Sequence, residues 1–121
     1  MPLFVDLLAA LKALTGLDSF RIGQEETIRR ILAGKSTLLV LPTGAGKSLC
    51  YQLSTFVLRN CPNSSRAIAL VISPMLSLIN DQLRCLPAAL HGAALSSGPE
   101  KVCLYYLGQL IKGHPGKNRS E

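Results

Sequence analysis

The chain has 121 residues, 48% of them hydrophobic and 17% charged, and 13 Lys and Arg against 7 Asp and Glu give a net charge of +6. The length suits one domain, and the apolar share is enough to build a core, which excludes an intrinsically disordered chain. The positive balance favours acidic partners such as nucleotides and nucleic acid, although dispersed charge of this size is also ordinary in cytosolic domains.

The chain opens with "MPLFVDLLAALKAL", which has the apolar look of a signal peptide but no basic start, and Asp6 and Lys12 interrupt it. Leu3, Leu7, Leu8, Leu11 and Leu14 recur instead at helical spacing, with Gly16 as a stop signal. "GQEETIRRILAGK" predicts a second helix, with Glu25 and Glu26 in its first turn, Arg29 and Arg30 further on, and Gly34 beyond its end. "STLLVL" is short, continuous and apolar, the pattern of a strand buried on both faces. A helix is expected from Lys47 to about Leu58, then a polar loop, "NCPNSSR", and a second doubly buried strand, "AIALVIS". Ser73 can cap a further helix with Pro74 at its first position, running to about Leu83. Helices alternating with apolar strands predict βαβ units and a parallel sheet, hence an α/β fold.

The pattern weakens past Leu86. "HGAALSS" fits a short strand, "KVCLYYLGQLIKG" fits neither period, and "GHPGKNRSE" has the composition of a solvated tail. Cys50, Cys61, Cys85 and Cys103 show no metal-ligand spacing, and His91 and His114 stand far apart. Idle thiols in a reducing compartment are expected, in a soluble intracellular protein without a membrane span.

The chemistry concentrates in "LVLPTGAGKSLCYQL". A strand ending in "PTGAGKS" and leading into a helix is the context a phosphate-binding loop requires. Gly44 and Gly46 let the backbone turn so that N–H groups converge on one anion, with Thr43 and Ala45 between them and before them in the loop. The following helix adds its positive N-terminal end. Lys47 can bridge the outer phosphates of ATP as the catalytic lysine, and the Ser48 hydroxyl can hold Mg²⁺. Leu41 stands where the general phosphate-loop pattern has glycine, which argues against small-molecule kinases and GTPases and toward the helicase variant. Upstream, in "TGLDSFRIGQEETI", Gln24 has the donor and acceptor to match the N6 and N7 edge of adenine, with Arg21 stacking on the base or meeting a phosphate. Gln24 equally begins a helix.

These segments resemble the RecQ family of ATP-dependent DNA helicases. "FRIGQEETIRRIL" is similar to its adenine-sensing motif, "LPTGAGKSLCYQL" to motif I and "LVISPMLSLINDQL" to motif Ia, and the match is most similar to the fourth, Rothmund–Thomson-type branch. The resemblance covers roughly residues 10 to 98. It implies the N-terminal part of a RecA-like P-loop NTPase domain, the first motor domain of a superfamily 2 helicase, truncated, over residues 1–98, with a divergent, poorly ordered tail over 99–121. An aromatic residue often stacks on adenine in that family where Leu17 sits, so base stacking here is expected to be weaker. Motif Ia faces the nucleic-acid groove in the family, which implies that Ser73 and Pro74 contact a DNA backbone phosphate at a single-strand or duplex-junction site; read from residues alone, they only start a helix. The resemblance further implies 3′-to-5′ unwinding driven by ATP hydrolysis, and a nuclear role in replication and repair.

Hydrolysis needs an acid for Mg²⁺, a group to orient water and a transition-state cation. The chain has no D-E-x-H type segment, and Asp6, Asp18 and Asp81 end no apolar strand. Negligible ATPase activity from this chain alone is therefore expected, as is a first strand lacking the neighbours that the RecA-like fold gives it. A non-catalytic nucleotide- or DNA-binding fragment is the alternative, and a small P-loop kinase a third.

Overall fold

Asp6 opens the first described helix, α1 (Leu7–Thr15). Its carboxylate accepts a hydrogen bond from the Ala9 N–H at 3.1 Å, and Gly16 closes the helix in the left-handed region at φ 83. The structure, a computed structural model, describes residues 6–42, 44, 46–61, 67–73, 76–95 and 103–108; the predicted start of α1 at Leu3 lies outside them. Leu7, Leu11 and Leu14, one helical face by spacing, are buried. Helix α2 (Gln24–Leu32) buries Thr27, Ile28 and Leu32, and its exposed face carries an ion pair from Arg29 to Glu25 at 3.0 Å. Helix α3 (Lys47–Arg59) packs against both α1 and α2 and contributes Cys50, Leu53 and Val57 to their shared core. Each fully buried Leu or Ile side chain there contributes about 1.5–3 kcal/mol. All three helices follow the predicted spans within a few residues.

Residues 36–41 depart from prediction. They form no strand ladder, and their side chains alternate: Leu39 packs on the helical core while Leu38 is 90% and Val40 81% exposed. Arg30 anchors the start of the segment, donating to the Ser36 carbonyl at 2.9 Å and the Thr37 hydroxyl at 3.2 Å. Two-fold alternation belongs to any extended backbone, but a strand also needs a neighbour to take its N–H and C=O groups. Among the described residues this segment has none.

Strand β1 (Ala69–Ser73) leads to helix α4 (Leu76–Arg84), followed by β2 (His91–Leu95) and β3 (Cys103–Gly108). The sheet order is β1-β3-β2, and β3 is antiparallel to both neighbours, with Val71 opposite Tyr105 and Ala94 opposite the same Tyr105. This corrects the expected parallel sheet. β1 and β2 do run parallel to each other across the α4 crossover, but β3 lies between them and takes their inner hydrogen bonds. The segment "KVCLYYLGQLIKG", which fitted neither period, contains the central strand, β3. Ser73 ends β1 and α4 is described from Leu76, while Pro74, the predicted first helical residue, lies outside the described residues.

β1 was predicted to be buried on both faces, yet Leu70 and Ile72 point outward and are exposed, while Val71 packs beside the fully buried Ile79 of α4. Among the described residues one apolar layer, not two, covers this strand. No helix among the described residues is long and apolar enough to cross a membrane.

Candidate nucleotide site

The turn into α3 is built on two glycines with positive φ, Gly44 at 85° and Gly46 at 89°, which a residue with a Cβ rarely adopts. Gly46 is also the residue before the first turn of α3. No side chain caps that helix start, and no acidic residue stands in its first turn. A helix of 13 residues thus presents its uncapped positive end to the turn.

Two side chains from the α2 entrance hold this turn. Gln24 is only 3% exposed. Its Oε1 accepts from the Arg21 N–H at 2.8 Å, and its Nε2 donates to the Gly46 carbonyl at 2.9 Å. The Arg21 guanidinium reaches the same turn, with Nη1 donating to the Gly44 carbonyl at 2.7 Å. A Cβ on Gly46 would meet the Gln24 Nε2, whereas one on Gly44 would meet nothing within 4 Å. Gln24 and Arg21 therefore occupy two loop carbonyls with hydrogen bonds.

The cavity in front of α3 has a volume of about 790 Å³, within the range typical of small-molecule sites. Arg21, Gln24, Gly44, Gly46, Lys47 and Ser48 all line it. Six of the residues singled out by sequence thus meet in one place. Thr43, Ala45 and Pro74 lie outside the described residues, and Ser73 is not among the lining residues. The lining carries the cations Arg21 and Lys47 and no carboxylate among the described residues. Lys47 is exposed and, among the described residues, forms no ion pair. A separate open groove along α2 contains Glu25, Glu26, Arg29 and Lys35 but none of the loop residues.

The donor set fits a polyphosphate: backbone N–H groups at a helix start, two cations and a hydroxyl. For Mg²⁺ the fit is partial: Ser48, next to Lys47, offers a hydroxyl as a hard oxygen ligand, and no carboxylate among the described residues lines the cavity. Sequence reasoning missed Ser19, Leu78 and Gln82, which also line the cavity. Leu78 and Gln82 stand four residues apart on α4 and so share a face, a spacing that was legible, but nothing in the sequence said which neighbour that face meets. Tyr51, one turn beyond Lys47 and Ser48 on α3, donates its hydroxyl to the Gln82 Oε1 at 3.0 Å and joins the two helices. Burial pushes the thiol of Cys50 up from its ordinary pKa, which keeps it protonated and inert inside α3.

No solved structure matches the chain. It is 55% identical over 86 residues to ATP-dependent DNA helicase Q4 of Mus musculus, an overlap of 71% of this chain and 7% of the relative. It is 50% identical to ATP-dependent DNA helicase Q-like 5 of Arabidopsis thaliana over 80% of this chain and 10% of the relative. To ATP-dependent DNA helicase RecQ of a Synechocystis strain it is 40% identical, over 83% of this chain and 20% of the relative. The chain thus spans a fifth or less of the length of these three relatives. The DEAD/DEAH box helicase family matches residues 21–106, a span that begins at the arginine holding the loop and takes in every described residue of the turn, so the chain belongs to that family, and its relatives there include RecQ-type helicases.

Proposed function

We propose that this chain is the ATP-binding portion of a RecQ-like ATP-dependent DNA helicase. The observation that carries the reading is the convergence of Arg21, Gln24, Gly44, Gly46, Lys47 and Ser48 on one cationic cavity at an uncapped helix start. In this reading Lys47 meets the outer phosphates, Ser48 contributes a ligand to Mg²⁺, and Thr43 and Ala45 complete the loop around the phosphates. ATP, when bound with Mg²⁺, supplies the phosphoryl group whose loss drives the motor.

Gln24 has two tasks here. One amide hydrogen and one lone pair are already engaged by Gly46 and Arg21, and the second hydrogen and second lone pair are the groups with which it would read the adenine edge. Ser73, the last residue of β1, and Pro74, which follows it in the sequence, are assigned to a DNA backbone phosphate. Residues 1–98 are assigned to the RecA-like motor domain and 99–121 to a divergent tail. The complete protein would unwind DNA with 3′-to-5′ polarity in the nucleus, as expected for this branch. The 121 residues themselves contain no D-E-x-H type segment, so binding without turnover is expected of them.

A fluorescent-nucleotide titration with Mg²⁺ tests the reading. Saturable ATP binding is expected, and Lys47→Ala should weaken it about 10- to 100-fold, the worth of a charge-assisted contact. Undiminished binding by that variant would overturn the assignment. Transfer of phosphate to a metabolite would favour the kinase alternative instead.

A further inference from the structure

The Gln82 amide has one end occupied and one end open. Tyr51 Oη donates to its Oε1 at 3.0 Å, which fixes which end of the amide is held. Among the described residues its Nε2 makes no hydrogen bond. The side chain is half-buried and lines the same cavity as Lys47 and Ser48. Tyr51 stands three residues after Ser48 and four after Lys47 on α3, so all three share a helix face. The tie to Tyr51 therefore joins Gln82 to the helix that carries Lys47 and Ser48. An amide N–H₂ with no acceptor, in a cavity whose other polar groups are suited to an anion, is a donor without a partner.

We infer that Gln82 is a further nucleotide-binding residue, donating from Nε2 to an outer phosphate oxygen of the bound nucleotide, with Tyr51 as its positioning residue. The inference rests on the ATP-binding reading above. It adds to the site a contact from α4, the helix that follows Ser73 in the chain. Occupancy of the phosphate end would then be felt directly by that helix, without passing through the glycine loop.

The test is nucleotide affinity of the full 121-residue chain for ATP, ADP and adenosine. Gln82→Glu is the decisive variant, because a carboxylate still accepts from Tyr51 and keeps the helices joined, but it offers no donor and repels phosphate. ATP binding by Q82E should weaken about tenfold or more while adenosine binding stays within about twofold, since a donor to a charged phosphate is worth at least one decade. Tyr51→Phe, which keeps the ring and removes the hydroxyl, should show the same preference for phosphate in smaller degree. If Q82E binds ATP like the wild type, Gln82 is only a tie between helices and the inference is overturned. Equal losses for ATP and adenosine would overturn it as well, as general damage to the site. If the wild-type chain binds no ATP, the functional reading itself falls, which is a separate result.

Discussion

Leu53 in α3 and Leu70 in β1 are the same residue type in opposite settings. Leu53 is fully buried between α1, α2 and its own helix, while Leu70 is 64% exposed on a strand whose other face packs on α4. The helical side closes on itself because each helix satisfies its own backbone and needs only one apolar stripe covered. The strand side depends on what lies next to it. Among the described residues β1 found β3 for its hydrogen bonds but no second layer for Leu70 and Ile72, and residues 36–41 found neither. Position of the site follows from this difference. Arg21, Gln24, Lys47 and Ser48 are all carried by α2, α3 and the turns at their N-termini, which belong to the closed side.

The contrast can be broken most strongly by Leu53→Ala. It opens a cavity among Leu11, Ile28 and Val57 and should cost about 2–5 kcal/mol in denaturant unfolding; a loss near zero would mean the helical core is not the stable half. A smaller effect separates the two loop glycines. Gly44→Ala and Gly46→Ala both force a Cβ into the left-handed region, at about 1–2 kcal/mol each, but only the second meets Gln24. Gly46→Ala should therefore lose more stability and more ATP affinity than Gly44→Ala, and equal losses would remove Gln24 from the account of the loop. The smallest effect belongs to the open strand face. Leu70→Thr should change stability by no more than about 0.5 kcal/mol, as for a surface position, and a loss approaching that of Leu53→Ala would show that this face is covered in solution.

How much of this was legible in the sequence follows the same division. The leucine spacing of α1, the glycine that ends it and the acidic first turn of α2 are local signals, and they placed the helices. The phosphate loop was legible for a related reason: its glycines and lysine are consecutive, and their neighbours dictate their geometry. Gln24 was found as a residue type, but its bond to Gly46 was not, since spacing cannot say which atoms two turns exchange. "STLLVL" has the composition of a strand, yet a ladder is a property of pairs, and composition names no partner. β3 was missed for the mirror-image reason. "CLYYLG" carries no clear alternation, and its role comes from β1 and β2 on either side of it. Gln82 needed both kinds of information, a helical spacing and a tertiary neighbour.

The position of β1 at the rim of the sheet has a consequence for handling the protein. Among the described residues no strand pairs with its outer side, and Leu70 and Ile72 flank that open row of amides and carbonyls. Such a rim is a template on which a second molecule can crystallise a strand of its own, the first step of clumping. What opposes it is mutual repulsion between molecules carrying a net +6. Added salt shortens the reach of that repulsion, to about 8 Å at physiological ionic strength, so dilute buffer is the condition in which this rim stays solitary.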